Sequence, residues 1–285
     1  MQGLVTLLEA NRPTVSLPDG TTYLCYLKGR IKRDVGRIMV GDRVIIEPTD
    51  PGEARIDAVL PRDNQLVRPP VANVGGLFVV FSLTEPSGSL ELLDKRLVMA
   101  RIHGLEAEIV LSKADLPGNR QDLSRIQQVY EAAGYRVWQV SSPRGLGLQE
   151  LVRERRAGIW VLTGESGVGK STLLKAIIPS AQAETQELSR IGRGQQTTRW
   201  VRLYQMHGYW LADSPGYTAL ESTVAEAAMI REGFPEFEGH RCRFADCLHR
   251  QEPGCGVKEA LSTGEIAEWR YQHYQKLLTE WVKAY

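Results

Sequence analysis

The sequence predicts a multidomain α/β protein in three parts: a small N-terminal β-barrel, a mostly parallel sheet covered by helices, and a helical C-terminal segment built round a metal site. Three observations predict it. About five short strand-like runs, punctuated by turn residues, fill the first 68 positions. Strand-like and helix-like runs then alternate as far as position 221. Three of the four cysteines fall between positions 242 and 255. With 285 residues, 42% of them hydrophobic, the chain has core material for up to three domains. Thirty-five Lys and Arg against 34 Asp and Glu exclude a wholesale polycation or an acidic tail protein, but not a local basic patch. No apolar run reaches the ~18 residues that span a bilayer, so no membrane association is expected. The first residues lack a basic stretch and a long apolar one, so a secretory leader is not expected and the cytoplasm is the expected compartment.

Residues 1–68 form the first expected domain, with strand-like runs at 4–10, 14–17, 23–27, 44–47 and 56–60. Pro18-Asp19-Gly20, Gly41-Asp42 and Pro51-Gly52 supply turns between them. Short strands at this density close into a barrel, and the OB-fold is the predicted type. Cys25 is expected in its core. Lys28, Arg30, Lys32, Arg33 and Arg37 lie close together against a single Asp34. They can grip phosphates or form a solvated loop.

Residues 69–221 form the second expected domain, with strand-like runs at 77–83, 106–111, 136–140, 158–163, 200–205 and 208–212. Helical patterns at 90–103, 122–133, 148–156 and 170–178 lie among the first four. The last two strands are joined by a short connection, which predicts a hairpin at one edge of the sheet. Residues 222–285 form the third expected domain. A helix is expected over 223–231, and the tail 264–285 places Ile266, Trp269, Leu277, Leu278 and Trp281 on one helical face.

Within the second domain, Gly164-Glu165-Ser166-Gly167-Val168-Gly169-Lys170-Ser171 matches G-x-x-x-x-G-K-[ST]. It follows a strand-like run and opens a helical one, with Thr172 next in the first turn. Glycines let the backbone wrap phosphates with inward N–H groups, and the helix N-terminus adds its positive end. Lys170 is expected to reach the β- and γ-phosphates, and Ser171 to hold Mg²⁺. Asp213-Ser-Pro-Gly216 has the D-x-x-G form. Asp213 would hold Mg²⁺ through water and the Gly216 N–H would meet the γ-phosphate. The polar loop 192–199 carries Gln196, Thr197 and Thr198, with a threonine as a further Mg²⁺ ligand that closes over GTP. Ser112-Lys113-Ala114-Asp115 resembles the N-K-x-D guanine motif. Asp115 can accept from the guanine ring N–H and exocyclic amine, donors that adenine lacks in that arrangement. Val140-Ser141-Ser142 resembles the loop that supports the other base edge. An ATPase or kinase is the competing enzyme reading, and the D-x-x-G and S-K-x-D segments argue against it.

These motifs run base first and phosphate second, the reverse of an ordinary small GTPase. A circular permutation explains the order, because ligand loops gather at the C-terminal strand ends of an open α/β sheet wherever the chain is cut. In the third domain, Cys242, Cys247, His249 and Cys255 offer three thiolates and one imidazole within fourteen residues. A Cys3His set completes a tetrahedral structural zinc site with no position open for catalysis.

Barrel, permuted order and Cys3His segment together resemble the RsgA family of ribosome small-subunit-dependent GTPases. Leu66-Val-Arg-Pro-Pro-Val-Ala-Asn-Val74, Leu92-Leu-Asp-Lys-Arg96 and Cys242-Arg-Phe-x-x-Cys247-Leu-His249 carry the likeness further, over essentially the whole chain. The resemblance implies an OB-fold barrel, a circularly permuted P-loop GTPase domain and a zinc-binding helical domain. It implies a Mg²⁺-dependent GTP hydrolase acting late in small-subunit assembly, bound to that subunit and its rRNA and stimulated by it. One structural zinc, Mg²⁺ with GTP or GDP, and a monomeric chain belong to the same expectation. The alternative is an RNA-binding factor that uses GTP as a slow binding switch. Two positions depart from the family pattern. Ser112 stands where the guanine motif has Asn. Gln196 stands where the switch loop has a His credited with hydrolysis, and its amide can orient a water instead. Lys170, Gln196 and Thr198 are the expected catalytic residues.

Overall fold

Alternating apolar and polar residues build the first strands: β1 (Gln2–Glu9), β2 (Arg12–Ser16), β3 (Thr22–Leu27), β4 (Arg43–Asp50) and β5 (Glu53–Val59). In this computed structural model the described residues are 1–9, 12–27, 37–67, 69–116, 120–154, 156–179, 201–213 and 226–282. Two short strands, β6 (Gln65–Leu66) and β7 (Val71–Ala72), lead to β8 (Val74–Phe81), helix α1 (Leu90–Ile102), β9 (Glu106–Leu111), α2 (Arg120–Ala132) and β10 (Arg136–Gln139). Then come α3 (Leu148–Arg153), β11 (Ile159–Thr163), α4 (Lys170–Ile177), β12 (Arg202–Gln205) and β13 (Trp210–Asp213). The chain ends in α5 (Ala227–Glu232), a 3-10 turn at Pro235–Phe237, α6 (Gly256–Thr263) and α7 (Glu268–Trp281). Among the described residues no helix is long and apolar enough to cross a membrane.

The chain forms two compact units, the first comprising residues 1–76, 148–163 and 170–219. Here β1 pairs with β2, β2 with β3, β3 runs parallel to β5, β5 pairs with β4, and β4 returns to β1. That closes a five-stranded barrel of the expected OB type. Its inward residues Val5, Val15, Cys25, Val44, Ile46, Ala54 and Ile56 are at most 1% exposed. Cys25 is thus a core residue, and burial pushes its thiol up to about 11. The turn Gly41-Asp42 is clasped from outside the barrel. Arg62 Nε donates to the buried Asp42 carboxylate at 2.6 Å, and Asn73 Nδ2 donates to the Gly41 carbonyl at 2.8 Å.

In the same unit β11 and β13 run parallel, with Val161 opposite Ala212. Strands β12 and β13 form the expected antiparallel hairpin. It does not sit at an edge as predicted. Strand β12 also pairs with barrel strand β1, Leu7 lying opposite Arg202. Hairpin pattern shows that two strands pair with each other; whether a third covers the outer strand depends on chain far away in sequence.

The second unit comprises residues 77–147, 164–169 and 220–285. Strand order there is β10-β9-β8, and β9 and β10 are parallel with Leu111 opposite Gln139. Ser89 caps α1, its Oγ accepting from the Leu92 N–H at 3.4 Å. The C-terminal helices pack on α1 through one apolar cluster that joins Val98 and Met99 to Ile230, Phe234, Tyr274, Leu277 and Trp281. The expected helix over 223–231 is described from residue 226 and runs Ala227–Glu232, its first three expected positions lying outside the described residues. Of the expected tail face, Ile266, Leu277, Leu278 and Trp281 are buried, whereas Trp269 is half-buried. Arg270, Tyr271 and Tyr274 are buried as well.

Arg270 is the unexpected core residue. It is fully buried, yet donates to Asp94 Oδ1 at 2.5 Å and to both Glu236 oxygens at 2.5 and 2.8 Å. Tyr130 and His273 also meet the buried Asp94 carboxylate, at 2.5 and 2.6 Å. Acidic partners on α1 and the 3-10 turn make a charge tolerable there, a fact no helical periodicity reveals. Replacing Arg270 with alanine leaves two acidic groups without their counter-charge. The expected cost is about 3–5 kcal/mol, read as an earlier denaturant transition of this unit. A transition displaced by under about 1 kcal/mol would show that the network carries no such weight.

Candidate functional site

The two segments expected to read the base meet in the second unit because β9 and β10 are parallel neighbours. Leu111 and Gln139 are in register, so residues 112–115 and 140–142 leave the same sheet end together. The Val140 N–H donates to Leu111 O at 2.9 Å and the Ala114 N–H to Val140 O at 3.0 Å. Asp115 accepts from the Ser141 hydroxyl, which holds its carboxyl below the usual range, with Arg144 adding to the effect. Arg144 Nε lies 3.5 Å from Asp115 Oδ2. Ser141 is buried, and Ser142 beside it is half-buried. The Asp115 carboxylate is therefore fixed in its charged form, as an acceptor for two donors on one base edge requires.

The phosphate loop touches the same cluster. Ser112 is buried, and its Oγ donates toward Phe81 O at 3.0 Å and toward Val168 O. The serine thus ties the base segment to the loop. It does so with one proton shared between two carbonyls, where a longer amide side chain would bring two. Gly164, at φ 146°, has Val80 O only 2.3 Å from where a Cβ would stand, and Gly167, at φ 81°, has Pro86 Cγ at 2.1 Å. Neither position admits another residue without a shift of its neighbour. Lys113 Nζ donates to Glu85 O at 2.9 Å and to Thr84 O at 3.4 Å. Glu165 turns its carboxylate to the Ser89 N–H at 2.5 Å.

In the first unit the chain continues from the loop into α4 at Lys170, with Ser171 and Thr172 exposed in its first turn. Asp213 ends β13. The register of Val161 with Ala212 puts it one step further along, level with Leu162, near where β11 enters the loop. Burial pushes the Asp213 carboxyl up to about 6, against an opposing pull from Lys175. A half-buried carboxylate of this kind is stabilised by a divalent cation, so it fits the Mg²⁺ role expected of it. Gln196, Thr197, Thr198 and Gly216 lie outside the described residues, as does the basic stretch 28–33. Arg37 is described and exposed.

The four predicted metal ligands come together in the second unit. The candidate ligand atoms of Cys242, Cys247, His249 and Cys255 all lie within 4.8 Å of one another. Cys242 Sγ and Cys255 Sγ are 3.9 Å apart, and His249 Nδ1 is 3.5 and 3.4 Å from them. Ligands at ~2.0–2.3 Å from a tetrahedral zinc stand about 3.5–3.8 Å from each other, so the set fits that ion. Burial, and then Arg231, hold the His249 imidazole toward its neutral, ligating form. Its backbone is at φ 57°, which turns the ring back toward the thiols, and Tyr271 donates to its carbonyl at 2.5 Å.

Sequence reading missed the segment 82–89, which receives Lys113, Pro86 against Gly167, and Glu165. Its available signal was Ser89 ahead of an apolar helical run, an N-cap pattern. Nothing in the pattern says that the capped helix meets the phosphate loop.

Comparison with known proteins agrees with the geometry. The family model for RsgA GTPase matches residues 59–223. The small ribosomal subunit biogenesis GTPase RsgA of Moorella thermoacetica is 40% identical over 266 residues, covering 92% of this chain and 91% of that protein. Its counterpart in Geobacillus kaustophilus is 39% identical over 269 residues, covering 93% and 92%. The crystal structure of YjeQ from Thermotoga maritima matches with a TM-score of 0.83 at 34% identity, covering 100% of this chain and 99% of that one. YloQ, described as a circularly permuted GTPase, matches with a TM-score of 0.81 at 30% identity, covering 98% and 94%. A P-loop that leaves a strand and opens a helix, a base motif tied to it by Ser112, and a Cys3His cluster that follows in sequence agree with the family match, and the chain is a GTP hydrolase of the RsgA GTPase family.

Proposed function

We propose that the protein binds the small ribosomal subunit, assists its late maturation and hydrolyses GTP to GDP and phosphate faster when bound there. The observation that carries this reading is identity of about 40% over nine-tenths of the chain to proteins named for small-subunit biogenesis. Residues 1–68 form an rRNA-binding barrel, 69–221 the permuted GTPase domain and 222–285 the zinc domain. Barrel and zinc domain hold rRNA by phosphate contacts and shape. The protein works as a cytoplasmic monomer.

In this proposal guanine lies against Asp115, with Lys113, Ser141 and Ser142 supporting it and Ser112 holding the loop behind. The N–H groups of residues 164–169 and the first turn of α4, Thr172 included, cradle the phosphates. Lys170 neutralises charge that develops as water attacks the γ-phosphate in line. Ser171, Asp213 through water, and Thr197 or Thr198 hold Mg²⁺, which bridges phosphate oxygens and offsets their charge. Gln196 orients the water. The Gly216 N–H senses the γ-phosphate, and its departure frees the loop at 192–198. One structural zinc sits on Cys242, Cys247, His249 and Cys255.

Turnover of GTP by the purified protein, with and without small subunits and with ATP as control, tests this. Stimulation of at least about tenfold, confined to GTP, is the expected result. Co-sedimentation with the subunit in GTP but no stimulation would favour an assembly factor that uses GTP as a slow binding switch. Equal turnover of ATP would remove the guanine assignment.

A further inference from the structure

An acidic side chain inside a phosphate-binding loop poses a problem, because its charge opposes the ligand's. Glu165 has such a place, directly after Gly164. The structure shows where the charge goes. Its Oε2 accepts from the Ser89 N–H at 2.5 Å, at the amino end of the thirteen-residue helix α1. Free N–H groups and the helix dipole make that end positive. Arg96, two turns along α1, adds a second positive charge. Burial lowers the pKa of its guanidinium, and the charge of Glu165 acts to raise it again. Arg96 is itself steadied by donating to Leu92 O at 2.9 Å.

Helix α1 is a firm anchor. Its Asp94 is held by Arg270, Tyr130 and His273, and salt bridges from Lys95 to Glu280 and from Lys276 to Glu91 tie it to α7. The loop is gripped on the same side by Pro86, which lies against Gly167. Glu165 is the loop side chain that reaches from this face to the helix end.

We propose that Glu165 is a positioning residue of the GTPase reaction: its carboxylate, held on the Ser89 N–H beside Arg96, fixes the phosphate loop in its nucleotide-binding shape. In this role its side chain meets neither substrate nor reacting atoms, and it acts through the loop backbone. The inference rests on the assignment of residues 164–171 as the phosphate loop. A loop that must be ordered on binding lowers affinity for GDP and GTP alike, so the effect falls on binding more than on the chemical step.

The test measures GDP affinity, and KM and kcat for GTP, in the zinc-loaded full chain. Glu165→Ala is expected to raise the GDP Kd and the GTP KM about tenfold while kcat changes by under about threefold. Glu165→Gln keeps an acceptor for the Ser89 N–H and restores most of the affinity. Arg96→Met weakens GDP binding in the wild-type background but adds little to Glu165→Ala, since each acts through the other. Ser89→Ala keeps the N–H and loses only the helix cap. It is expected to lower thermal stability and leave GDP affinity in place, which separates loop positioning from helix stabilisation. Unchanged GDP affinity in Glu165→Ala, or fully additive losses with Arg96→Met, would overturn the proposal. A loss confined to kcat would do so too. If wild-type protein fails to bind GDP, the phosphate-loop assignment fails instead, and the two failures are distinct.

Discussion

Cys247→Ser is expected to cost the protein its stoichiometric zinc and to unfold the C-terminal segment around it. The ligands are the hub of that segment. Tyr271 and Tyr274 of α7 donate to the His249 and Leu248 carbonyls at 2.5 and 2.8 Å, and Arg231 of α5 to the Cys247 carbonyl at 3.3 Å. Phe237 sits edge-on to the His249 ring at 5.5 Å. Residues 240–255 have no helix or strand of their own, so a metal held there would supply the order that secondary structure supplies elsewhere. Structural zinc contributes about 10–16 kcal/mol in isolated zinc-finger peptides. The segment also packs through the apolar cluster of α5, α6 and α7, which does not depend wholly on the metal, so the net effect here is expected to be smaller. Metal analysis and limited proteolysis would show it. The wild type binds one zinc per chain and resists cleavage over 240–255, and the variant does neither. A variant that keeps one zinc and wild-type protease resistance would count against the four-ligand assignment.

Asp115→Asn is the second large change. It is expected to weaken GTP binding by about 10²–10⁴-fold, because two hydrogen bonds to a charged acceptor contribute about 1.5–3 kcal/mol each. The asparagine amide turns an N–H group toward a base edge that itself offers N–H groups. Xanthosine triphosphate has a carbonyl where guanine has its amine, so the same variant gains affinity for it. The fold should be unaffected, since among the described residues the Asp115 carboxylate meets Ser141 and Arg144, and asparagine keeps its shape. Competition titrations with GTP, xanthosine triphosphate and ATP read the change. GTP affinity within about threefold of wild type would place guanine recognition on another residue.

Much of the fold was legible because its signals are local. Turn residues and alternation located the five barrel strands to within a few residues, and helical patterns located α1, α2, α3 and α4. The phosphate loop and the Cys3His set were legible because their residue types stand at short, fixed spacing. The hairpin of β12 and β13 was legible, but its pairing with β1 was not: Leu7 and Arg202 are almost 200 positions apart, and no local pattern encodes their register. Arg270 was illegible for a related reason. Helical periodicity sorts apolar from polar residues, and it cannot see that Asp94 and Glu236 wait across a helix interface.

The substitution at Ser112 shows both limits. Sequence alone marks it as a shorter side chain in place of an amide. The structure shows that it still reaches Val168 O, so the link between base segment and phosphate loop survives through a hydroxyl. By itself, then, the sequence marked the candidates: which residue types could meet phosphate, guanine, magnesium and zinc, and that the order of their motifs along the chain is permuted. Those are properties of residue type and short spacing, which the chain carries whether folded or not. Tertiary structure alone decided the supports. Parallel pairing of β9 with β10 brought Asp115 to Ser141, the end of α1 received Glu165, and a fully buried arginine joined that helix to the C-terminal segment. Each of these unites residues distant in sequence, and only the packed chain, by setting which strand ends and helix ends meet, specifies them.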